Sequence, residues 1–152
     1  MVKEIPKEDF MNVGNLKTVA EELRRSIRIC HENQCYIAAL CIIACSIHRF
    51  SGGNIKKRDQ ERKYCQIVEK YFPKMCGNLP AREFYKMYRH GIVKSFGPLK
   101  GYVMCEDDEL NGEYVGKVKI EGLSETRIGL NMDRLIKDFI SLCDQIITGT
   151  SL

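Results

Sequence analysis

No stretch of the sequence is long and apolar enough to cross a lipid bilayer. The most apolar run, residues 35–47, is shorter than the ~20 residues that a transmembrane helix needs. Residues 1–15 are mixed and charged, whereas a secretion signal would place an apolar core there. We therefore predict a cytoplasmic protein that does not enter a membrane.

Motifs of the common nucleotide-binding and hydrolytic enzymes are also missing. The chain has no Walker loop, no nucleophile elbow and no dinucleotide fingerprint. It contains only three histidines, so few side chains could act as a base near neutral pH. We therefore predict that the protein carries no cofactor.

The eight cysteines lack the spacing of a zinc site. No Cys-x-x-Cys pair occurs, and the pair Cys41 and Cys45 has no matching second pair. A free cysteine in a helical stripe packs as a small apolar residue. Because no secretion signal is predicted, we expect reduced thiols and no metal site. The cysteines are Cys30, Cys35, Cys41, Cys45, Cys65, Cys76, Cys105 and Cys143.

The composition is that of an ordinary globular protein. The chain has 152 residues, of which 44% are apolar and 29% are charged. This length suits one domain and is sufficient to bury a core. We predict a single domain over residues 1–152, with an irregular lead-in at 1–14 and a frayed tail at 149–152.

Positive charge is concentrated in the middle of the chain. The net charge is +4, but residues 49–100 carry thirteen Lys or Arg and four Asp or Glu, which gives +9. Residues 101–152 carry five basic and ten acidic residues. The basic block fits either a surface that contacts phosphates or two solvated helix faces, and the composition does not choose between them.

Apolar periodicity predicts four helices in the first two thirds of the chain. Asn15 is an N-cap candidate for a helix that ends near Asn33, and residues 36–50 are apolar nearly all round, as in a buried helix. A third helix runs from about residue 55 until Pro73 interrupts the pattern. Pro80 suits the first turn of a fourth helix that continues to Phe96.

The last third of the chain changes period. Residues 102–104 and 114–120 read as strands on either side of an acidic hairpin loop at 106–113, and residues 127–130 could add a third strand. Asn131 then caps an amphipathic helix that ends near Ile147. The predicted fold class is mainly α, a bundle of about five helices with a small β-hairpin inserted before the last helix.

The fourth helix resembles the signature helix of HEPN domains. That signature is an Arg, often followed by a polar residue, with a His some five residues after the Arg, and Arg89 and His90 match its first two positions. The similarity extends loosely over residues 16–147. HEPN domains are helical bundles, often dimeric, and many are metal-independent ribonucleases. The resemblance therefore implies a helical bundle, a homodimer and RNA as a candidate partner.

The chain departs from the signature where its histidine belongs. Lys94 occupies that position, and an unperturbed lysine, with a pKa near ~10.4, is a poor base at neutral pH. The prediction is therefore a non-catalytic HEPN-like interaction module that binds RNA. Arg89, His90 and Lys94 are the residues of the degenerate motif, and Lys86, Arg89 and Lys94 are the candidate nucleic-acid contacts.

Three alternatives stay open. The protein could be an active ribonuclease that uses Arg89 with His90 or Lys94. It could be a helical subunit whose apolar or cysteine-bearing surface docks onto another protein. In a purely structural interpretation, Arg89 forms a salt bridge to a neighbouring helix, while His90 and Lys94 are solvated.

Overall fold

The computed structural model is mainly helical and describes residues 15–52, 56–95 and 101–149. The predicted lead-in, all of the predicted tail after Gly149, and Phe96 lie outside these residues. The mainly helical fold with a β insertion before the last helix is confirmed. The four longest described helices are α1 (Leu16–Glu32), α2 (Tyr36–Phe50), α3 (Lys57–Tyr71) and α7 (Met132–Ile147).

Two asparagines begin helices as the sequence predicts. The Asn15 side chain accepts a hydrogen bond of 2.9 Å from the Lys17 backbone N–H at the start of α1. The Asn131 side chain does the same for Arg134 at the start of α7, at 3.1 Å. Each bond satisfies one of the backbone donors that a first helical turn leaves unpaired.

Residues 73–95 form several short helical pieces, where the sequence predicts one helix that begins at Pro80. Pro73 ends the pattern of α3 but also begins a short helix, α4 (Pro73–Cys76). After a connector comes α5 (Ala81–Lys86), followed by a π-helical segment (Met87–Ile92) and the short α6 (Val93–Ser95). Hydrophobic spacing predicts a helix here but does not reveal the wider π turn.

The strand pairing differs from the prediction. The strands β1 (Tyr102–Cys105), β2 (Val115–Lys119) and β3 (Thr126–Asn131) form one sheet in the order β1-β3-β2. The hairpin therefore joins β2 to β3, and the acidic stretch at 106–113 connects β1 to β2 without pairing them. Residues 129–131 of β3 are buried, and the central position of β3 provides that burial.

Gly129 lets three neighbouring side chains pack closely against the central strand β3. A Cβ atom at this position would lie 2.9 Å from both Cys105 Sγ and Leu110 Cδ2. It would also lie 3.1 Å from Val118 Cγ1. Only glycine leaves room for these three side chains on the central strand.

The core forms around α2 and α7. Leu40, Ile43 and Ile47 of α2 have no exposed surface, and neither do Leu135 and Phe139 of α7. Helix α7 packs mainly against α1, and Arg24 of α1 and Asp144 of α7 form an ion pair of 2.6 Å at the edge of this contact. Within the described ranges, no helix is long and apolar enough to cross a membrane.

Candidate nucleic-acid interface

The π-helical segment places the motif residues at the surface of the bundle. Met87, Tyr88 and Ile92 of this segment are buried, whereas Arg89 is partly buried and His90 is exposed. A π-helical turn is rare and is frequently found at functional sites, because its extra residue redirects side chains that a regular helix would align. Arg89 and His90 both lie within this turn.

Three tyrosine rings form a cluster next to Arg89. Tyr64 of α3 stacks on Tyr88, with ring centroids 5.2 Å apart, and meets Tyr85 edge-on at 5.1 Å. The Tyr64 hydroxyl donates a hydrogen bond of 3.1 Å to the Ala44 carbonyl oxygen. Tyr64 is fully buried, whereas Tyr85 is partly exposed. The cluster is therefore anchored in the core by Tyr64 and reaches the surface at Tyr85.

His48 of α2 approaches the same cluster. Its ring centroid lies 5.5 Å from that of Tyr88, and the pKa of His48 is lowered by burial and by the charge of Arg89. The residue is therefore neutral at pH 7, the form that can accept a proton. Its Nδ1 atom is buried and, among the described residues, has no hydrogen-bond partner, while Nε2 lies 3.5 Å from Gln60 Nε2.

Arg89 lacks a carboxylate partner within the part of the chain that the structure describes. The positive charge of Arg89 acts instead to lower the pKa values of His48, Tyr85 and Tyr88. Burial raises the pKa of both tyrosines, and the nearby guanidinium of Arg89 only partly opposes that rise. Among the described residues, Arg89 therefore does not form the salt bridge to a neighbouring helix that the purely structural interpretation expects.

The other predicted contacts differ in whether their charge is already paired with a carboxylate. Lys86 Nζ lies 3.1 Å from the Glu83 carboxylate, so its charge is partly compensated. His90 and Lys94 are exposed, and the structure describes no ion pair for either. Arg89 and Lys94 are therefore the two predicted nucleic-acid contacts for which the structure describes no ion pair. His48, which lies 41 positions before Arg89 in the sequence, was missed as a member of the site.

A second cluster of charged groups is structural. Asp133, in the first turn of α7, accepts hydrogen bonds from the Asp107 backbone N–H at 2.7 Å and the Tyr36 hydroxyl at 3.3 Å, and lies 2.7 Å from His31 Nε2. Burial alone would raise the pKa of Asp133, but these hydrogen bonds and the attraction of His31 lower it overall. By accepting these bonds, the Asp133 carboxylate joins α1, α2 and the acidic connector to α7.

The cysteines show no arrangement that favours chemistry. All eight lie among the described residues and are unbridged. Burial, together with Glu61 and Glu69, raises the pKa of Cys65 to about 11, and burial raises that of Cys143 to about 12. Both therefore remain thiols at neutral pH. Among the described residues, no group of three or more His, Cys, Asp or Glu side chains could hold a metal ion.

No protein-family model, curated protein sequence or solved structure matches the chain. The function proposed below therefore rests on the contacts and charges around Arg89 and on the resemblance of the segment that carries it.

Proposed function

We propose that the protein is a non-catalytic, HEPN-like interaction module of the cytoplasm that binds single-stranded RNA. The observation that carries the proposal is the position of Arg89. Arg89 is partly exposed, lacks a carboxylate partner among the described residues, and carries a positive charge that acts on Tyr85 and Tyr88. Proteins that bind single-stranded nucleic acids combine cationic side chains with accessible aromatic rings.

Each group would have a separate part in binding. Arg89 and the exposed Lys94 would contact phosphate oxygens, and the planar guanidinium of Arg89 can hold two of them at once. The partly exposed ring of Tyr85 would stack on a base. The buried Tyr64 holds Tyr85 and Tyr88 in place, so the rings need little ordering when the ligand arrives.

Replacing Arg89 with alanine should weaken RNA binding by about 10- to 100-fold, because a charge-assisted phosphate contact contributes roughly 1.5–3 kcal/mol. Binding to a mixed single-stranded RNA would be measured by fluorescence anisotropy at low and moderate salt. In the wild type, the affinity should fall as salt rises, since each phosphate contact releases counterions. The slope against salt should be shallower in the variant.

Arg82→Ala is the matched control. It removes the same charge from the same region, but Arg82 is 73% exposed and already pairs with Glu61 at 3.2 Å. Its affinity for RNA should stay within about twofold of the wild type, because an exposed paired charge contributes little. If both variants bind like the wild type, or if the wild type does not bind at low salt, the proposed function is wrong.

We further propose that the module is a homodimer, as the resemblance to HEPN domains implies. The outer face of residues 36–46 of α2, which carry no charged side chain, is a suitable contact surface. Ile37 is 53% exposed there, and Ala38, Cys41, Ile42 and Cys45 continue the apolar surface along the helix. Two copies of an uncharged face can meet without like-charge repulsion. Light scattering should give the mass of two chains, and a monomer at micromolar concentration contradicts this part of the proposal.

A second candidate function, a metal-independent ribonuclease, is favoured by one electrostatic interaction, the effect of the Arg89 charge on His48. The neutral His48 next to Arg89 could supply the base that Lys94 cannot. In that reaction His48 would take the proton of the RNA 2′-hydroxyl, whose oxygen attacks the adjacent phosphorus. The bond between phosphorus and the 5′-oxygen breaks to leave a 2′,3′-cyclic phosphate, and the leaving 5′-oxygen takes a proton from water. Arg89 would stabilise the charge that develops on the phosphate.

His48→Ala tests this candidate against His90→Ala. If the wild type cleaves RNA, cleavage should fall by about 100-fold or more without His48, since a general base contributes about that factor. The exposed His90 serves as the control, and its loss should leave the rate unchanged. Product formation would be followed on denaturing gels with chelator present. Cleavage that survives in His48→Ala excludes His48 as the base.

A further inference from the structure

A basic pocket lies between the end of α2 and the side of α3. Its volume is about 480 Å³, which is within the range of sites for small ligands. Ser51 and Gly52 close one end, and α3 forms the wall. The wall residues that matter for binding are Lys63, Gln66, Ile67, Lys70 and Tyr71.

The charges around this pocket all have the same sign. Lys63 and Lys70 are exposed and lie seven residues apart, two turns along one face of α3. The Lys70 Nζ atom lies 5.1 Å from the centre of the Tyr71 ring. None of the lining residues that the structure describes is acidic, so none of them offers a carboxylate that competes for the two ammonium groups.

Tyr71 provides a second, independent indication of a ligand. Only 9% of its surface is exposed, and its hydroxyl is buried with no hydrogen-bond partner among the described residues. A buried hydroxyl without a partner costs about 1–3 kcal/mol, so proteins rarely leave one unpaired. An acceptor oxygen of a bound ligand would satisfy this donor.

We propose that this pocket binds a phosphate group. Lys63 and Lys70 supply the charge, the Tyr71 hydroxyl and the Gln66 amide donate to phosphate oxygens, and Ile67 shields one side. The site is separate from the Arg89 surface. Glu61 and Cys65, whose charges act on Tyr85, lie on another face of α3 from Lys63 and Lys70. The proposal therefore holds whether or not Arg89 binds RNA.

The test is a titration of the full chain with inorganic phosphate, followed by amide chemical shifts in NMR spectra. Saturable binding is expected in the wild type. The variant Lys63→Ala/Lys70→Ala should bind at least about tenfold more weakly, as expected for losing two charge-assisted bonds. The control Lys117→Ala/Lys119→Ala removes two exposed lysines from β2 and should change affinity by less than about twofold.

Tyr71→Phe separates a ligand role from a structural one. The hydroxyl has no described partner to lose, so the variant should melt at or above the wild-type temperature. Its phosphate affinity should nevertheless fall by about threefold or more. If Tyr71→Phe and the double lysine variant both bind phosphate like the wild type, or if the wild type shows no saturable shifts, the site does not exist.

The source of the phosphate is decided by adding RNA. If the double lysine variant loses affinity for inorganic phosphate and for single-stranded RNA alike, the pocket holds the RNA backbone. If it loses only phosphate, the ligand is a small phosphate-bearing molecule. Both results uphold the phosphate site. Arg89→Ala should leave phosphate binding unchanged in either case, so failure of the Arg89 proposal would not be mistaken for failure of this one.

Discussion

Replacing Asn131 with alanine should lower the free energy of unfolding by about 2–4 kcal/mol. Asn131 is completely buried where β3 meets α7, and all of its side-chain bonds are internal. Its oxygen caps α7, and its amide donates to Asp107 Oδ1 at 2.8 Å and to the Glu113 carbonyl at 2.9 Å. Alanine removes the cap of α7 and the two hydrogen bonds that the buried amide donates to Asp107 and to the Glu113 carbonyl.

Asn15→Ala gives the matched comparison, because Asn15 also caps a long helix but is exposed. Its loss should cost only about 1 kcal/mol, the usual contribution of an N-cap. Urea denaturation of the two variants would measure the difference, which belongs to the buried amide bonds of Asn131. Equal costs would mean that the bonds to Asp107 and Glu113 contribute nothing to stability.

Helices that begin with a local signal were predictable from the sequence. The Asn15 and Asn131 caps and the apolar stripes after them predict α1 and α7 to within a residue or two. The boundaries of α2 agree with the apolar run at 36–50 because glycine and polar residues flank it. In each case the residues that define the element lie within a few positions of one another.

The strand order could not be predicted in this way. Alternation at 115–119 indicates a strand, but a period of two does not say which strand pairs with it. The central place of β3 follows from the burial of Leu130 and Asn131 and from the space that Gly129 leaves for Cys105 and Leu110. These contacts join residues far apart in the sequence, so the acidic stretch at 106–113 was wrongly taken for a hairpin loop.

In the candidate site, too, the sequence predicted what a local pattern indicates and missed what depends on contacts between distant residues. Arg89 was predicted because its neighbours in the chain resemble a known signature, whereas the surroundings of Arg89 come from other helices. His48 and Tyr64 reach it from α2 and α3, and no local pattern connects them. The pocket at Lys63, Lys70 and Tyr71 was likewise visible only as part of a basic block.

Tyr64→Ala should have the largest effect on stability, about 3–5 kcal/mol, because it opens a cavity in the core. Tyr64 has no exposed surface and contacts three aromatic rings, those of Phe84, Tyr85 and Tyr88. Tyr64→Phe keeps the ring and loses only the bond to Ala44, so it should cost about 0.5–1.5 kcal/mol. Urea denaturation would measure both costs.

Tyr102→Ala is the control for the removal of a tyrosine ring. Tyr102 is partly exposed on the edge strand β1, so its loss should cost less than about 2 kcal/mol. RNA binding links the Tyr64 variants to function, since Tyr64 supports the two rings beside Arg89. Tyr64→Phe should bind RNA like the wild type, because the supporting ring remains in place. If this variant stays folded but loses RNA affinity, the hydroxyl, and not the packing of the ring, positions the site.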